Sequence, residues 1–246
     1  MSNSSVKPQG AAWAPRASDL QQALAAEGDA VTRELDSLLA PVEGPRGRVI
    51  EAMRYSALSG GKRLRPFLVC ESARLFDLPR TSALRVAAAI EMVHCYSLIH
   101  DDLPAMDDSD LRRGRPTAHV AFDEATAILA GDGLLTEAFA VLADPLTHDK
   151  PAVRIALVAA LAGAAGAAGM VGGQMIDMSP ERSGLDLAGI SHLQSLKTGA
   201  LIRFSCEAGA ILAEAEPAER EALVGYAEDL GLAFQIADDL LDAEST

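Results

Sequence analysis

The stretch TSALRVAAAIEMVHCYSLIHDDLPAMD, residues 81–107, decides how this chain folds. From Thr81 to about Asp102 it is long and largely apolar, which predicts a helix buried on most of its sides. The helix ends in the paired acids Asp101 and Asp102, and Pro104 then disturbs it. Because burying carboxylates in apolar surroundings is costly unless cations neutralise them, the stretch predicts a central helix with a cation site at its C-terminal end.

A second acidic cluster, DDLLD at 238–242, lies near the end of the sequence. On a helix Asp238 and Asp242 share one face, whereas Asp239 is rotated by about 100°. Like charges at this spacing repel each other, so the cluster favours metal binding. The alternative is an exposed acidic helix end, which the apolar neighbours Phe234 and Ile236 make less attractive.

The first cluster also includes Asp107. On an uninterrupted helix Asp101 and Asp107 would be poorly aligned, but a bulge at Pro104 could bring Asp107 back beside Asp101. The alternative is an acidic loop, 107–110, that only solvates a turn. Carboxylate oxygens suit Mg²⁺, which takes one or two protein carboxylates and binds substrate phosphates. Together the clusters suggest a pocket that holds a diphosphate through several Mg²⁺ ions.

Helical patterns dominate the remainder of the 246 residues. No segment of useful length has the two-residue period of a strand, and no linker divides the chain, so we expect an all-α, single-domain antiparallel helical bundle around a central cavity. The net charge of −14 argues against nucleic acid and anionic membrane surfaces as partners. Predicted helices cover about 18–39, 46–58, from 66, 81–102, 117–130, 133–142, 152–168, 187–196, 199–213 and 217–241.

Positive charge is concentrated in two runs. GGKRLRP at 60–66 is a glycine turn leading into a helix N-terminus, where Lys62, Arg65 and backbone N–H groups would suit an anion. RRGR at 112–115 follows the first acidic cluster, and arginine is the preferred partner of phosphate oxygens. Alone, each run is more often a solvated surface. Beside two acidic clusters, they indicate phosphate binding.

These features together resemble the trans (E-type) polyprenyl diphosphate synthases, most closely the bacterial short-chain farnesyl diphosphate synthases. The resemblance implies condensation of isopentenyl diphosphate with an allylic diphosphate, with about three Mg²⁺ ions as cofactor. The matching blocks occur in family order: GGKRLRP at 60–66, HCYSLIHDDLPAMDDSDLRRGRPT at 94–117, AILAGD at 127–132, GGQMIDM at 172–178, LKTGALI at 196–202 and GLAFQIADDLLD at 231–242.

The resemblance also implies residue roles. The implied catalytic residues are Asp101, Asp107, Asp238, Arg112 and Lys197. The metal ligands would be Asp101, Asp107, Asp238 and Asp242, supported by Asp102, Asp239, Gln174 and Asp177. Isopentenyl diphosphate would be held by Lys62, Arg65, His94 and Arg113, and the allylic diphosphate by Arg112, Lys197, Thr198 and Gln235.

Product length should depend on the residues just before Asp101. In the family a large aromatic residue there tends to close the pocket near fifteen carbons, so Tyr96, with the smaller Ser97 beside it, predicts farnesyl diphosphate. A geranylgeranyl diphosphate synthase would share every motif and remains an alternative. A class I terpene cyclase would share only the first aspartate motif, and a non-catalytic partner subunit should have lost its acids.

Other expectations concern the surroundings of this domain. Residues 1–18 read as a disordered leader and 19–246 as the synthase domain, which looks shorter at its C-terminus than family members usually are. Cys70, Cys95 and Cys206 predict buried free thiols in a reducing compartment, consistent with a cytoplasmic location. The uncharged stretch 155–173 is rich in Ala and Gly and predicts a buried helix that packs closely, not a membrane span. A homodimer is implied by the resemblance only.

Overall fold

The computed structural model describes residues 17–244, without the side chains of 17, 181, 235 and 238–244. Its secondary structure is almost entirely helical, which confirms the all-α prediction. The helices are α1 (Ala17–Leu38), α2 (Gly47–Ala57), α3 (Leu64–Arg74), α4 (Arg80–Asp101), α5 (Ala118–Ala121), α6 (Glu124–Ala143), α7 (Pro151–Ala165), α8 (Met170–Asp177), α9 (Leu187–Gln194), α10 (Ala200–Leu212) and α11 (Pro217–Glu244), with a 3₁₀ turn (Pro180–Gly184) and a π-helix (Ser195–Gly199).

Helix α4 is the centre of the bundle. It packs against α1, α2, α3, α6 and α10, and its residues from Val86 to Val93 are all buried. Most of these residues are small or apolar, which allows several helices to approach α4 on different sides. The central position predicted from residues 81–102 is therefore correct, and it fixes the place where Asp101 emerges.

Most helix ends lie within one to three residues of their predicted positions, but two assignments were wrong. The predicted break between residues 130 and 133 does not exist, because α6 runs unbroken through both glycines. A Cβ at Gly131 would lie 2.1 Å from Nε2 of His100, and one at Gly133 would lie 2.8 Å from Sδ of Met53. These glycines allow close helix packing rather than ending a helix. The true break precedes α6, where the Asp123 side chain accepts a bond from the backbone N–H of Thr126.

The second error concerns the stretch 155–173. It is not one helix, since α7 ends at Ala165 and α8, which was not predicted, begins at Met170. Nor is it well buried within the chain. Three stretches are long and apolar enough to cross a membrane by length and composition alone, and the buried share of their apolar windows is 67% for Arg80–Asp101, 44% for Glu124–Ala143 and 28% for Pro151–Asp177.

A two-stranded hairpin follows α4. Strand β1 (Leu111–Arg112) pairs antiparallel with β2 (Arg115–Pro116), with Leu111 opposite Pro116 and Arg112 opposite Arg115. Both turn residues, Arg113 and Gly114, have positive φ, at 54° and 75°, as a tight two-residue hairpin turn requires. This hairpin, too short to show a strand period in the sequence, presents the second basic run.

Candidate active site

The first acidic cluster folds back on itself at Pro104. The backbone N–H of Asp107 donates to the carbonyl oxygen of Asp101 at 2.8 Å, and that of Ser109 donates to Asp102 at 3.2 Å. Asp107 is thereby brought beside Asp101, as the bulge at Pro104 was expected to do. Asp101 is half-buried, and burial, together with the negative charges of Asp107 and Asp102, raises the pKa of its carboxyl group against the opposing influence of Lys197 and Arg112.

Asp102 has a different environment from Asp101. It is buried, and Arg112 donates to both of its oxygens, with Nε at 3.0 Å from Oδ1 and 2.8 Å from Oδ2 and Nη2 at 2.7 Å from Oδ1. Donating these hydrogen bonds to Asp102 raises the pKa of the Arg112 guanidinium, which stays charged. The hairpin therefore places Arg112 beside the acidic cluster, with Asp102 fixing its side chain.

A second group of basic residues surrounds His94 on α4. Burial and the positive charges of Arg65, Arg113, Arg63 and Arg112 hold the pKa of His94 well below its ordinary value, so its imidazole is neutral. Cations of both basic runs therefore lower the pKa of His94, and Arg113 of the hairpin also contacts the glycine turn of the first run. A small cavity is lined by Asp102, Arg112 and Arg113 among others.

The glycine turn before α3 is tightly joined to the hairpin. Gly60 and Gly61 have φ of 82° and 134°, and Nη1 of Arg113 donates to the Gly60 carbonyl oxygen. A Cβ at Gly61 would lie 2.4 Å from Nη1 of Arg113, so only glycine leaves room for this guanidinium. Lys62 is exposed and lines a separate groove formed with α1.

A third basic group comes from the π-helix. Nζ of Lys197 lies 2.5 Å from Oδ2 of Asp177, and Nε of Arg182 lies 3.0 Å from Oδ1 of the same carboxylate. A Cβ at Gly173 would lie 2.3 Å from the backbone nitrogen of Lys197, so α8 and the π-helix are in direct contact. Single π-turns are frequent at functional sites, and this one contains both Lys197 and Thr198.

Comparisons with known proteins identify the family of this chain. The model of the family described as polyprenyl synthetase matches residues 47–246. The chain belongs to this family. It is 47% identical over 231 residues to farnesyl diphosphate synthase of Escherichia coli (strain K12), covering 91% of this chain and 76% of that protein. It is 43% identical over 206 residues to geranylgeranyl diphosphate synthase of Cyanophora paradoxa, covering 82% and 69%.

A solved structure is also similar. The apo crystal structure of a FPP/GFPP synthase from Zymomonas mobilis has a TM-score of 0.89 and 51% sequence identity, covering 93% of this chain and 83% of that one. The resemblance of this chain to bacterial farnesyl diphosphate synthases, inferred from its motifs, is thus confirmed.

For several predicted site residues of this polyprenyl synthetase, the structure describes only the backbone. The backbone of 235–244 belongs to α11, but the side chains of Gln235, Asp238, Asp239 and Asp242 lie outside the described residues. Among the residues that are described, no three His, Cys, Asp or Glu side chains are grouped so that they could hold a metal ion. Thr198 is half-buried, as is Ser97.

Tyr96 and the cysteines lie within the core of the bundle. The Tyr96 side chain is buried and meets the ring of His100 edge-on, with 5.7 Å between ring centroids. The three thiols are free and buried, as predicted. Burial raises the pKa of both Cys70 and Cys95 to about 12, and that of Cys206 to about 11, so none is a reactive thiolate.

Two features near the site, one ion pair and one unpartnered amide, were not predicted from the sequence. Arg63, inside the first basic run, forms a buried ion pair with Glu91 of α4. Both amide atoms of the Gln174 side chain are buried without a hydrogen-bond partner in the described structure. One indication of the Arg63–Glu91 ion pair was present in the sequence, because Glu91 is the single acidic residue between Thr81 and His100.

Proposed function

We propose that this protein is a prenyltransferase that condenses isopentenyl diphosphate with dimethylallyl or geranyl diphosphate to give farnesyl diphosphate. The observation that carries the proposal is the position of two cationic groups around the C-terminal end of α4. The positive charges of Lys197 and Arg112 favour the charged form of Asp101. Those of Arg65 and Arg113 lower the pKa of His94, which lies seven residues before Asp101 on the same helix. Two diphosphates can therefore be held on one helix. The proposed catalytic domain comprises residues 19–246.

The allylic substrate occupies the acidic side of this site. Lys197 and Arg112 are fixed by Asp177 and Asp102, and they neutralise the diphosphate together with Thr198 and Gln235. The bond between C1 and the diphosphate oxygen then breaks, and the bonding electrons leave with the diphosphate. Arginine and lysine held in a partly dehydrated site stabilise that developing charge better than water does.

Isopentenyl diphosphate occupies the basic side, where Lys62, Arg65, His94 and Arg113 bind its diphosphate. Its double bond attacks the allylic cation and forms the new carbon–carbon bond. The departed diphosphate takes the proton that is lost from the adjacent carbon. The apolar residues around α4 exclude water, which would otherwise trap the cation.

The described residues fit Mg²⁺ as the cofactor. Asp101 and Asp107 are adjacent carboxylates, one of them half-buried with a raised pKa, which an added cation would stabilise in the charged form. Gln174, on the same helix as Asp177, has a buried side-chain amide without a hydrogen-bond partner in the described structure, and its oxygen is a further candidate ligand. Asp101, Asp107, Asp238 and Asp242 would hold about three ions, with Mg²⁺ supplying charge that makes diphosphate a leaving group.

The buried ring of Tyr96 supports a C15 product. It lies five residues before Asp101, so a chain growing along α4 away from the acids would meet it, with Ser97 beside it. Geranylgeranyl diphosphate synthesis is the second candidate, favoured by the identity to the Cyanophora protein.

A homodimer would account for the exposed apolar surface of α6 and α7. Leu129 and Ile155 are 57% and 68% exposed, and Ile128 is 43% exposed. Such surfaces are normally covered by protein or lipid. The Ala- and Gly-rich composition of α7 favours a close helix contact with a second copy over membrane insertion, and we expect a cytoplasmic protein.

Light scattering after size-exclusion chromatography tests the dimer. Leu129→Glu and Ile155→Glu should yield monomers, whereas Leu187→Glu, at the 81% exposed Leu187 of α9, should not. Sedimentation of the unaltered protein with phosphatidylcholine vesicles would support the membrane alternative instead.

The catalytic proposal is tested by measuring diphosphate release from isopentenyl and geranyl diphosphate. Release should require Mg²⁺, stop with excess chelator and fall at least 100-fold in Asp101→Asn. Release that persists without Mg²⁺, or none under any condition, would overturn the proposal.

A further inference from the structure

The ion pair between Arg63 and Glu91 lies beneath the glycine turn. Its side chains are only 2% and 3% exposed, and Nη1 of Arg63 contacts Oε1 of Glu91. Nη2 of Arg63 donates to the carbonyl oxygen of Ala57 at 2.6 Å. One arginine therefore joins the end of α2, the start of α3 and the middle of α4.

The backbone of Arg63 adds a second observation. Its φ of 49° and ψ of 35° lie in the left-handed region, which side chains other than glycine adopt only at a cost. Glycine would adopt this conformation without strain. The arginine at this position therefore indicates that its side chain has a role beyond forming the turn. Its backbone carbonyl accepts the bond from Phe67 that begins α3.

The pair also adjoins the cations assigned to isopentenyl diphosphate. Lys62 immediately precedes Arg63, Arg65 follows it by two residues, and Glu91 lies one helical turn before His94. Glu91 is also the anion that most strongly favours the charged form of the partly buried Arg65. Buried ion pairs contribute little net stability but can fix one geometry, because a displaced charge would be left unpaired.

We infer that Arg63 and Glu91 are positioning residues for isopentenyl diphosphate, holding the left-handed turn that sets Lys62 relative to Arg65. The inference rests on the proposed function. It assigns the pair to one substrate only, since the groups assigned to the allylic diphosphate, Arg112 and Lys197, have their own partners in Asp102 and Asp177.

Steady-state kinetics of four variants test this role. Arg63→Met and Glu91→Gln should lower Tm and raise KM for isopentenyl diphosphate at least 10-fold. The double variant Arg63→Met/Glu91→Met removes both charges and should regain most of the lost Tm. Its KM for isopentenyl diphosphate should stay elevated, with KM for geranyl diphosphate within twofold of the unaltered enzyme. Arg63→Lys should keep Tm and raise the KM for isopentenyl diphosphate several-fold, because it cannot reach both Glu91 and Ala57.

A matched control is the pair of Arg80 and Glu27, in which Nη1 lies 2.8 Å from Oε1 and Glu27 is likewise buried. Arg80→Met/Glu27→Met should alter Tm without changing either KM. An unaltered KM for isopentenyl diphosphate in the double variant, or in Arg63→Lys if the double variant does not fold, would overturn the inference. Inactivity of the unaltered enzyme would overturn the proposed function instead, so the two failures are distinguishable.

Discussion

Arg112 donates three hydrogen bonds to the buried carboxylate of Asp102, at 2.7 to 3.0 Å. The two adjacent acids at the end of α4 therefore have different tasks. The Asp102 carboxylate is hydrogen-bonded to the guanidinium of Arg112, while Asp101 remains partly exposed and the pKa of its carboxyl group is raised. In the proposed mechanism Asp101 binds metal, and Asp102 orients the arginine that meets the allylic diphosphate.

We predict that Asp102→Asn weakens catalysis without abolishing metal dependence. The amide cannot accept the full set of charged bonds, so Arg112 loses its fixed position, and kcat should fall about 10- to 100-fold. The KM for geranyl diphosphate should rise more than that for isopentenyl diphosphate. Asp108→Asn is the control, since Asp108 is exposed, and asparagine tolerates its φ of 49°. Equal kinetics of the two variants would contradict the assigned role.

Gly173→Ala should impair catalysis through the π-helix. The added Cβ would meet the backbone of Lys197, so the π-helix must shift. A displacement of about 1 Å in a positioned group can cost about 100-fold in rate, and we expect a loss of kcat of that order. In contrast, Gly163→Ala on α7 meets nothing within 4 Å and should raise stability by about 0.5–1 kcal/mol with activity retained. Normal turnover in Gly173→Ala would show that this contact is unimportant.

Tyr96→Ala should lengthen the product. Removing this buried ring of α4 leaves space that a longer prenyl chain can fill. Chromatography of the dephosphorylated products should show a shift from C15 to C20 or longer. Tyr226→Ala, at an exposed tyrosine of α11, should leave the distribution unchanged. An unaltered spectrum in Tyr96→Ala would contradict the position assigned to the end of the pocket.

His94 should make stability depend on pH. Burial and neighbouring arginines lower its folded-state pKa well below 6.5, so the unfolded chain binds a proton that the folded chain does not. The contribution is fully present above about pH 6.5 and is lost as the pH falls below that value, at up to about 1.4 kcal/mol per pH unit. Urea unfolding at pH 7.0, 6.0 and 5.5 should give a shallower pH slope for His94→Gln. Parallel slopes would contradict a buried neutral His94.

Local sequence patterns predicted most helices here because apolar residues recur at helical spacing, and Pro104 correctly marked the bend that returns Asp107 to Asp101. Errors arose where tertiary contacts set the structure. Gly131 sits inside α6 because His100 needs the space, although a glycine there looks like a helix end. The π-helix holding Lys197 and the burial of Arg63 against Glu91 both depend on contacts between distant elements, which spacing along one segment does not encode.

The central claim is tested most directly by mass spectrometry of the products formed from isopentenyl and geranyl diphosphate with Mg²⁺. We predict one condensation per geranyl diphosphate and a predominant C15 product, farnesyl diphosphate. A predominant C20 product would contradict the chain-length assignment to Tyr96. An absence of elongation with every allylic primer would contradict the account of the site itself.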